Sequence, residues 1–213
     1  GVIYPADAAR LSGSGSYEII RIGQSSNLRV NYWSSPVQQA PLADVFASAN
    51  PVDIQQFTPG GSQATDWQQA TGSMATGRGY SVAGADTARF EGSIHHGEIV
   101  AAQNTGSGFY LIGNPYPAAL DADAFLALNG PLGDGRIGGA LYFWAQQANA
   151  TGSNFGAGDY AVWAGGTGVA GTGSNAGSST PLGKIASAQG FFAVAGSQTG
   201  DIRIRPSMRG GAN

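Results

Sequence analysis

Residues 32–50 read YWSSPVQQAPLADVFASAN and residues 111–129 read LIGNPYPAALDADAFLALN, and the second stretch repeats the layout of the first without a gap. Superposed, they set Pro36 on Pro115, Asp44 on Asp123, Phe46 on Phe125 and Asn50 on Asn129. Two further pairings follow in the same order. Met74-Ala-Thr-Gly-Arg-Gly-Tyr-Ser-Val82 lies on Ile185-Ala-Ser-Ala-Gln-Gly-Phe-Phe-Ala193, and His96-Gly-Glu-Ile99 lies on Thr199-Gly-Asp-Ile202. Matches kept in register order indicate an internal duplication.

Each copy reads as a strand, a Pro-containing turn, one or two helical turns and a further strand. Ala43–Ala49 and Ala122–Leu128 consist largely of helix formers. Asp121 is placed to cap the first turn of its helix, and Asn50 and Asn129 to close the last turn in a left-handed conformation. In the second matched pair, Gly79 and Gly190 are expected to need a positive φ or a close backbone approach before a core strand.

Outward from the repeats, short runs of aromatic and β-branched residues have strand length. They include Tyr17–Ile22, Asn27–Trp33, Gly79–Ala83, Glu98–Ala101, Phe109–Ile112, Ala140–Trp144, Tyr160–Trp163, Phe191–Val194 and Asp201–Arg205. Clusters of Gly, Ser, Asn and Thr separate them, the longest at Gly165–Gly183. The pattern predicts an all-β fold, a jelly-roll-like β-sandwich with an internal pseudo-repeat and one or two short helices. The expected organisation is an N-terminal segment, 1–30, a first β half, 31–104, and a second, 105–213. The halves are expected to share one core, because each alone leaves an inner face and a strand edge uncovered.

Composition narrows the function classes. Of 213 residues, 11% are charged, 35 are Gly and the net charge is -3. The few Arg are scattered, so no basic stripe exists for phosphates and nucleic acid is not an expected partner. Without Cys there are no disulfides, thiolate metal sites or Cys nucleophile. No apolar run is long enough to span a bilayer, so membrane insertion is not expected. The chain begins at Gly1 with no initiator Met and is expected to be processed or cut from something longer.

No catalytic constellation emerges. Glu18, Glu91 and Glu98 are scattered, with no cue that brings two across a cleft as glycoside hydrolysis requires. His95 and His96 are adjacent and would point to opposite faces of a strand; Ile94–Glu98 reads as a hairpin turn. No Gly-x-Ser-x-Gly elbow joins a strand to a helix. Asp121 and Asp123, with Asn114 upstream, are the candidate ligands for a hard cation. Capping accounts for them better, since Asp44 repeats only one of the two carboxylates, so neither metal nor cofactor is expected.

Among the aromatics, Trp33 and Trp144 have apolar neighbours and read as core. Trp67 and Trp163 flank Gly- and Ser-rich loops and, with Tyr116, are the candidate glycan contacts. Asn149-Ala-Thr151 fits a sequon that marks an exposed loop. At the N-terminus, Val2, Ile3 and Tyr4 form a short apolar run followed by a Ser/Gly linker at Ser12–Ser16. Such a tethered run is suited to adding as a strand to a neighbouring copy, and these three residues are the candidates for self-association.

Tyr32-Trp-Ser-Ser-Pro-Val37, Thr76–Tyr80, Ile112-Gly-Asn-Pro-Tyr-Pro117 with Asp121–Phe125, Tyr142–Trp144, Gln189–Phe192 and Ser207–Arg209 resemble a module of secreted Bacteroidota proteins. In that family the module commonly precedes a type IX secretion sorting domain in large surface or extracellular proteins. The resemblance runs from about Tyr32 to Arg209 and implies an extracellular or cell-surface location. Asp86-Thr87-Ala88 is similar to the Asp-Thr-aliphatic O-glycosylation signal of exported Bacteroidota proteins, which makes Thr87 a candidate attachment site. The functional expectation is a non-enzymatic structural or adhesive surface protein that self-associates as a filament subunit through its N-terminal strand. The alternative is a glycan-binding accessory module of a secreted enzyme.

Overall fold

A computed structural model of the chain describes residues 15–23, 29–60, 66–147 and 156–210. The candidate strand donors Val2, Ile3 and Tyr4, and the Asn149 sequon, lie outside the described residues. The first repeat runs β1 (Tyr17–Ile22), β2 (Val30–Trp33), α1 (Leu42–Val45), β3 (Ile54–Phe57), β4 (Trp67–Gln69), β5 (Tyr80–Ala83) and β6 (Thr87–Gly92). The second runs β7 (Ile99–Asn104), β8 (Phe109–Gly113), β9 (Leu120–Asp121), α2 (Ala122–Asn129), β10 (Ile137–Trp144), β11 (Tyr160–Ala164), β12 (Thr167–Val169), β13 (Lys184–Ile185), β14 (Gly190–Ala195) and β15 (Gly200–Ile204).

Pairing reveals the duplication more fully than the sequence does. One sheet has the order β2-β5-β3-β4 and the other β8-β14-β10-β11-β12, so corresponding strands occupy corresponding places. In each repeat the first strand then pairs antiparallel with the last, β1 with β6 and β7 with β15. A Glu–Arg ion pair accompanies each ribbon, Glu18 to Arg89 within the first and Glu98 to Arg205 at the end of the second. Being exposed, these pairs contribute little stability, and their value is as a marker of equivalence. The fold is all-β and sandwich-like, with two short α-helices among the described elements, α1 packing on β6 and α2 on β15.

The repeats therefore begin one strand earlier than the expected boundaries. Residues 17–22, assigned to an N-terminal segment, are the first strand of the first repeat, and 99–104, assigned to the first half, open the second. The third matched pair is displaced for the same reason: Ile99 lies in β7, whereas Ile202 lies in β15, its pairing partner. Ile94–Glu98 is not a hairpin turn, since β6 and β7 join different ribbons; it hands the chain from one repeat to the other.

Nor is there one shared core. Trp33, Val37, Leu42, Phe46, Ile54, Val82, Phe90 and Ile94 belong to one buried cluster, and Ile112, Tyr116, Leu120, Phe125, Leu141, Trp163, Phe191 and Ile202 to another. Each repeat buries its own core beneath its own ribbon, with Ala188 of the second repeat reaching into the core of the first. The alternation along β6 shows how, with Ala88 and Phe90 buried while Arg89 and Glu91 face solvent. A third, aromatic-rich cluster around Tyr32, Leu111 and Phe192 joins the two.

The matching Phe46 and Phe125 are buried in equivalent positions, and Asp121 caps α2, its side chain accepting from the Ala124 N–H at 2.9 Å. Neither Asn takes a left-handed conformation. Asn50 caps the following 3₁₀ turn, and buried Asn129 exchanges hydrogen bonds with the Arg203 backbone, fastening α2 to β15. The positive φ expected near Gly79 and Gly190 falls two residues earlier, at Gly77 (φ 74°) and Ala188 (φ 61°). Both occupy the third position of a type II turn, closed by Arg78 N–H to Ala75 C=O and by Gln189 N–H to Ala186 C=O. Gly79 and Gly190 instead permit close approach: a Cβ would come within 2.6 Å of Leu111 Cγ and 3.0 Å of Tyr32 Cβ, respectively.

Candidate functional site

The seam between the repeats is built by exchange. The Ser34 N–H donates to the Ala188 carbonyl at 2.9 Å, and the equivalent Gly113 N–H donates to the Gly77 carbonyl at 2.8 Å. Trp33 bridges Gln189, and Ile112 bridges Arg78. Each repeat thus docks the end of its leading sheet strand onto the type II turn of the other, related by a pseudo-two-fold axis beside Ser34 and Gly113.

Aromatic side chains from both sheets fill one side of this seam. Tyr32 stands 5.6 Å from Trp144, 5.9 Å from Trp67 and 5.5 Å from Phe192, measured between ring centroids. Its phenol hydrogen-bonds that of Tyr160 at 2.7 Å, and burial pushes both phenols above their ordinary pKa. These rings bury a large apolar area while leaving Trp67, Trp144 and Tyr160 half-buried.

Beside them opens a cleft of about 410 Å³, walled by β1 and β2 of the first repeat and by the β10 end and the 186–190 turn of the second. Trp144 and Phe143 meet Asn31, Gln146, Ser187 and Gln189 along it. The wall is held in place locally. Gln146 Oε1 accepts from the Val30 N–H at 2.8 Å and the Trp144 indole N–H at 3.3 Å, and Gln189 Oε1 accepts from the Ala186 N–H at 2.8 Å. Among the described residues, three that line the cleft carry buried polar atoms with no partner: Asn31 Nδ2, Trp33 Nε1 and Ser187 Oγ. Each such orphan costs on the order of 1–3 kcal/mol, and native structures keep few without a reason.

A family model spanning residues 7–213 matches this chain, described as a domain of unknown function, DUF8693. The chain belongs to the DUF8693 family. No curated protein and no solved structure matches it. The family model covers both repeats, so the DUF8693 unit is the docked pair and contains the cleft whole.

Within this DUF8693 chain, the candidate glycan contacts separate. Trp163 is buried in the second core, its indole N–H donating to Asp123 Oδ1 at 2.8 Å, because β11 turns that face toward α2. Tyr116 is fully buried, its hydroxyl donating to the carbonyls of Gly97 and Ile204, and burial pushes its phenol up to about 12. Only Trp67 remains half-buried, at the edge of the aromatic seam.

The acidic pair is occupied by structural partners. Asp121 caps α2 and accepts from Lys184 Nζ at 2.7 Å, bonds that hold its carboxyl below the usual range, while Asp123 accepts from Trp163. Buried Asn114 is engaged by the carbonyls of Ala118, Ile185 and Ala186 and by the Tyr116 N–H. Among the described residues, no group of three or more His, Asp or Glu is arranged to hold a metal ion, and no helix is long and apolar enough to cross a membrane. Thr87 opens β6 opposite Ile22 and is half-buried, where an exposed loop was expected.

Asn31, Gln146, Ser187 and the cleft aspect of Trp144 escaped the sequence reading. The one available signal was the matched turn pair, which placed Gln189 and Arg78 at equivalent polar positions.

Proposed function

We propose that this chain is a non-enzymatic extracellular adhesive module that binds a saccharide in the cleft between its repeats. The observation that carries the reading is the convergence, in one cleft, of aromatic side chains with the unpartnered Asn31, Trp33 and Ser187. A sugar ring offers apolar C–H faces to rings and hydroxyls to amides, and such mixed linings with few placed polar groups characterise small-ligand sites. The volume, about 410 Å³, falls within the usual span of such sites.

The lining described contains no carboxylate and no imidazole. A glycosidase needs a carboxyl pair across the bond it cleaves, so the composition of the cleft favours retention of the sugar over its hydrolysis. The extracellular placement rests on the resemblance of the YWSSPV and GNPYP stretches to secreted Bacteroidota modules. The filament reading, carried by Val2, Ile3 and Tyr4, draws on residues outside those described, and the cleft therefore leads.

A glycan array probed with the intact protein tests this. Saturable binding to a defined set of glycans is expected, abolished in the Asn31→Ala/Ser187→Ala double variant with its thermal unfolding midpoint unchanged or raised. Absence of binding to any glycan, or binding indifferent to the double variant, overturns the cleft reading.

A further inference from the structure

We infer that the saccharide taken by the cleft is anionic, carrying a carboxylate or sulfate on the ring held nearest Arg21; this rests on the saccharide reading given above. Three features converge on it. The unmet hydrogen-bonding capacity of the lining is weighted to donors: the indole N–H of Trp33 and the amide Nδ2 of Asn31 only donate, and the Ser187 hydroxyl can do so. A ligand that satisfies them must present acceptors, and anionic oxygens form stronger hydrogen bonds to such donors than neutral hydroxyls do.

Charge points the same way. The chain carries a net charge of -3, yet among the described residues the cleft is lined by two cations, Arg21 and Lys184, and by no Asp or Glu. Lys184 is held by Asp121 at 2.7 Å, which leaves Arg21 as the lining cation without a carboxylate partner among the described residues. Arg21 projects from β1, where Glu18 is engaged by Arg89, so its own strand supplies it no counter-ion. A guanidinium offers a planar fork of donors matched to carboxylate or sulfate oxygens.

The cleft geometry adds the third feature. Arg21 stands on the first repeat and Ser187 on the second, so one anionic ring between them spans the seam and engages both repeats together. The partner chemistry is thus an acidic glycan of uronate, sialate or sulfated type, with the acid group toward β1.

Calorimetric titration with matched pairs of oligosaccharides, a galacturonate trisaccharide against its neutral galactose counterpart and a sulfated against an unsulfated galactose trisaccharide, tests this directly. The acidic member of at least one pair is expected to bind at least tenfold more tightly, with affinity falling as salt rises from 50 to about 300 mM. Arg21→Ala should bring the affinity for the acidic member down to that for its neutral counterpart, and Arg21→Lys should restore part of the preference. Equal affinity within both pairs, or a preference that survives Arg21→Ala, overturns the anionic assignment while leaving the saccharide reading standing. Failure of every member of both pairs to bind, in a protein that binds neutral glycans on an array, also overturns it; failure on the array as well overturns both.

Discussion

Residues 75–78 and 186–189 make the same type II turn in the two repeats, and the second faces the cleft. In the first, β7 lies directly on the turn: a Cβ at Gly77 would sit 2.9 Å from Ala101 Cα. By the repeat symmetry, β1 should lie on the second turn in the same way. It stands off instead, with Arg21 and Ile22 on one wall of the cleft and Ala186–Gly190 on the other. Ala188 accordingly has room for a methyl group at a backbone conformation that Gly77 can hold only as glycine. Duplication wrote two equivalent seams; one is filled, and the other is open, with lining residues whose buried donors have no partner among the described residues. A site arose where the symmetry is broken.

The largest expected effect breaks what the two seams share. Beside the pseudo-axis, a Cβ on Gly113 would fall 2.1 Å from Ser34 Cβ and 3.1 Å from the Arg78 carbonyl. Both obstacles are backbone or bonded directly to it, so neither side chain can swing away. Gly113→Ala should destabilise the protein by about 3 kcal/mol, at the upper end of ordinary overpacking, read as a shift in urea midpoint. Ser34→Gly at the equivalent position removes a side chain without a clash and should cost about 1 kcal/mol. Equal costs for the two would contradict the tight axial contact.

The turns themselves sharpen the comparison. Gly77→Ala combines an unfavourable φ with a collision against β7 and should destabilise by roughly 2 kcal/mol. Ala188→Gly relieves the strained φ but loses a buried methyl, and the two effects nearly cancel, leaving a change within about 1 kcal/mol. Chemical denaturation of both variants checks this. A Gly77→Ala variant as stable as the parent would mean that β7 does not seal the first seam.

Much of this architecture was legible in the chain. Strands with aromatic or β-branched character, such as Tyr17–Ile22 and Gly190–Ala195, announced themselves, and the Pro, Phe and Asp matches located α1 and α2. The Gln-rich β3 and β4, Ile54-Gln-Gln-Phe57 and Trp67-Gln-Gln69, carry too little apolar signal to read as strands. The ribbons were not legible because β1 with β6 and β7 with β15 pair across most of a repeat, and periodicity says nothing about distant partners. That omission moved the repeat boundaries and merged two cores into one. Trp163 misled because its loops are Gly-rich while its own face of β11 is buried; a loop's composition does not report the direction of a neighbouring strand. The cleft was hidden because its lining is drawn from both repeats.

The smallest expected effect separates the repeats by pH. His95 lies in the connection from β6 to β7, buried beside the Ile94 bridge to Val37, and the second repeat has no imidazole to match it. Burial lowers its pKa from the ordinary 6.5, the neighbouring His96 acting in the same direction and a backbone hydrogen bond with Val37 opposing them. Above about 6.5 the side chain is neutral whether the protein is folded or unfolded, and its contribution is complete. Below that, the unfolded chain takes up a proton that the folded chain resists, so stability falls as pH drops through the window between the two pKa values. The urea midpoint should therefore be lower at pH 5.5 than at pH 7.5, and His95→Gln should reduce that difference, while His96→Gln, more exposed, should alter it less. If His95→Gln keeps the full pH dependence, the loss on acidification does not originate in the connection between the repeats.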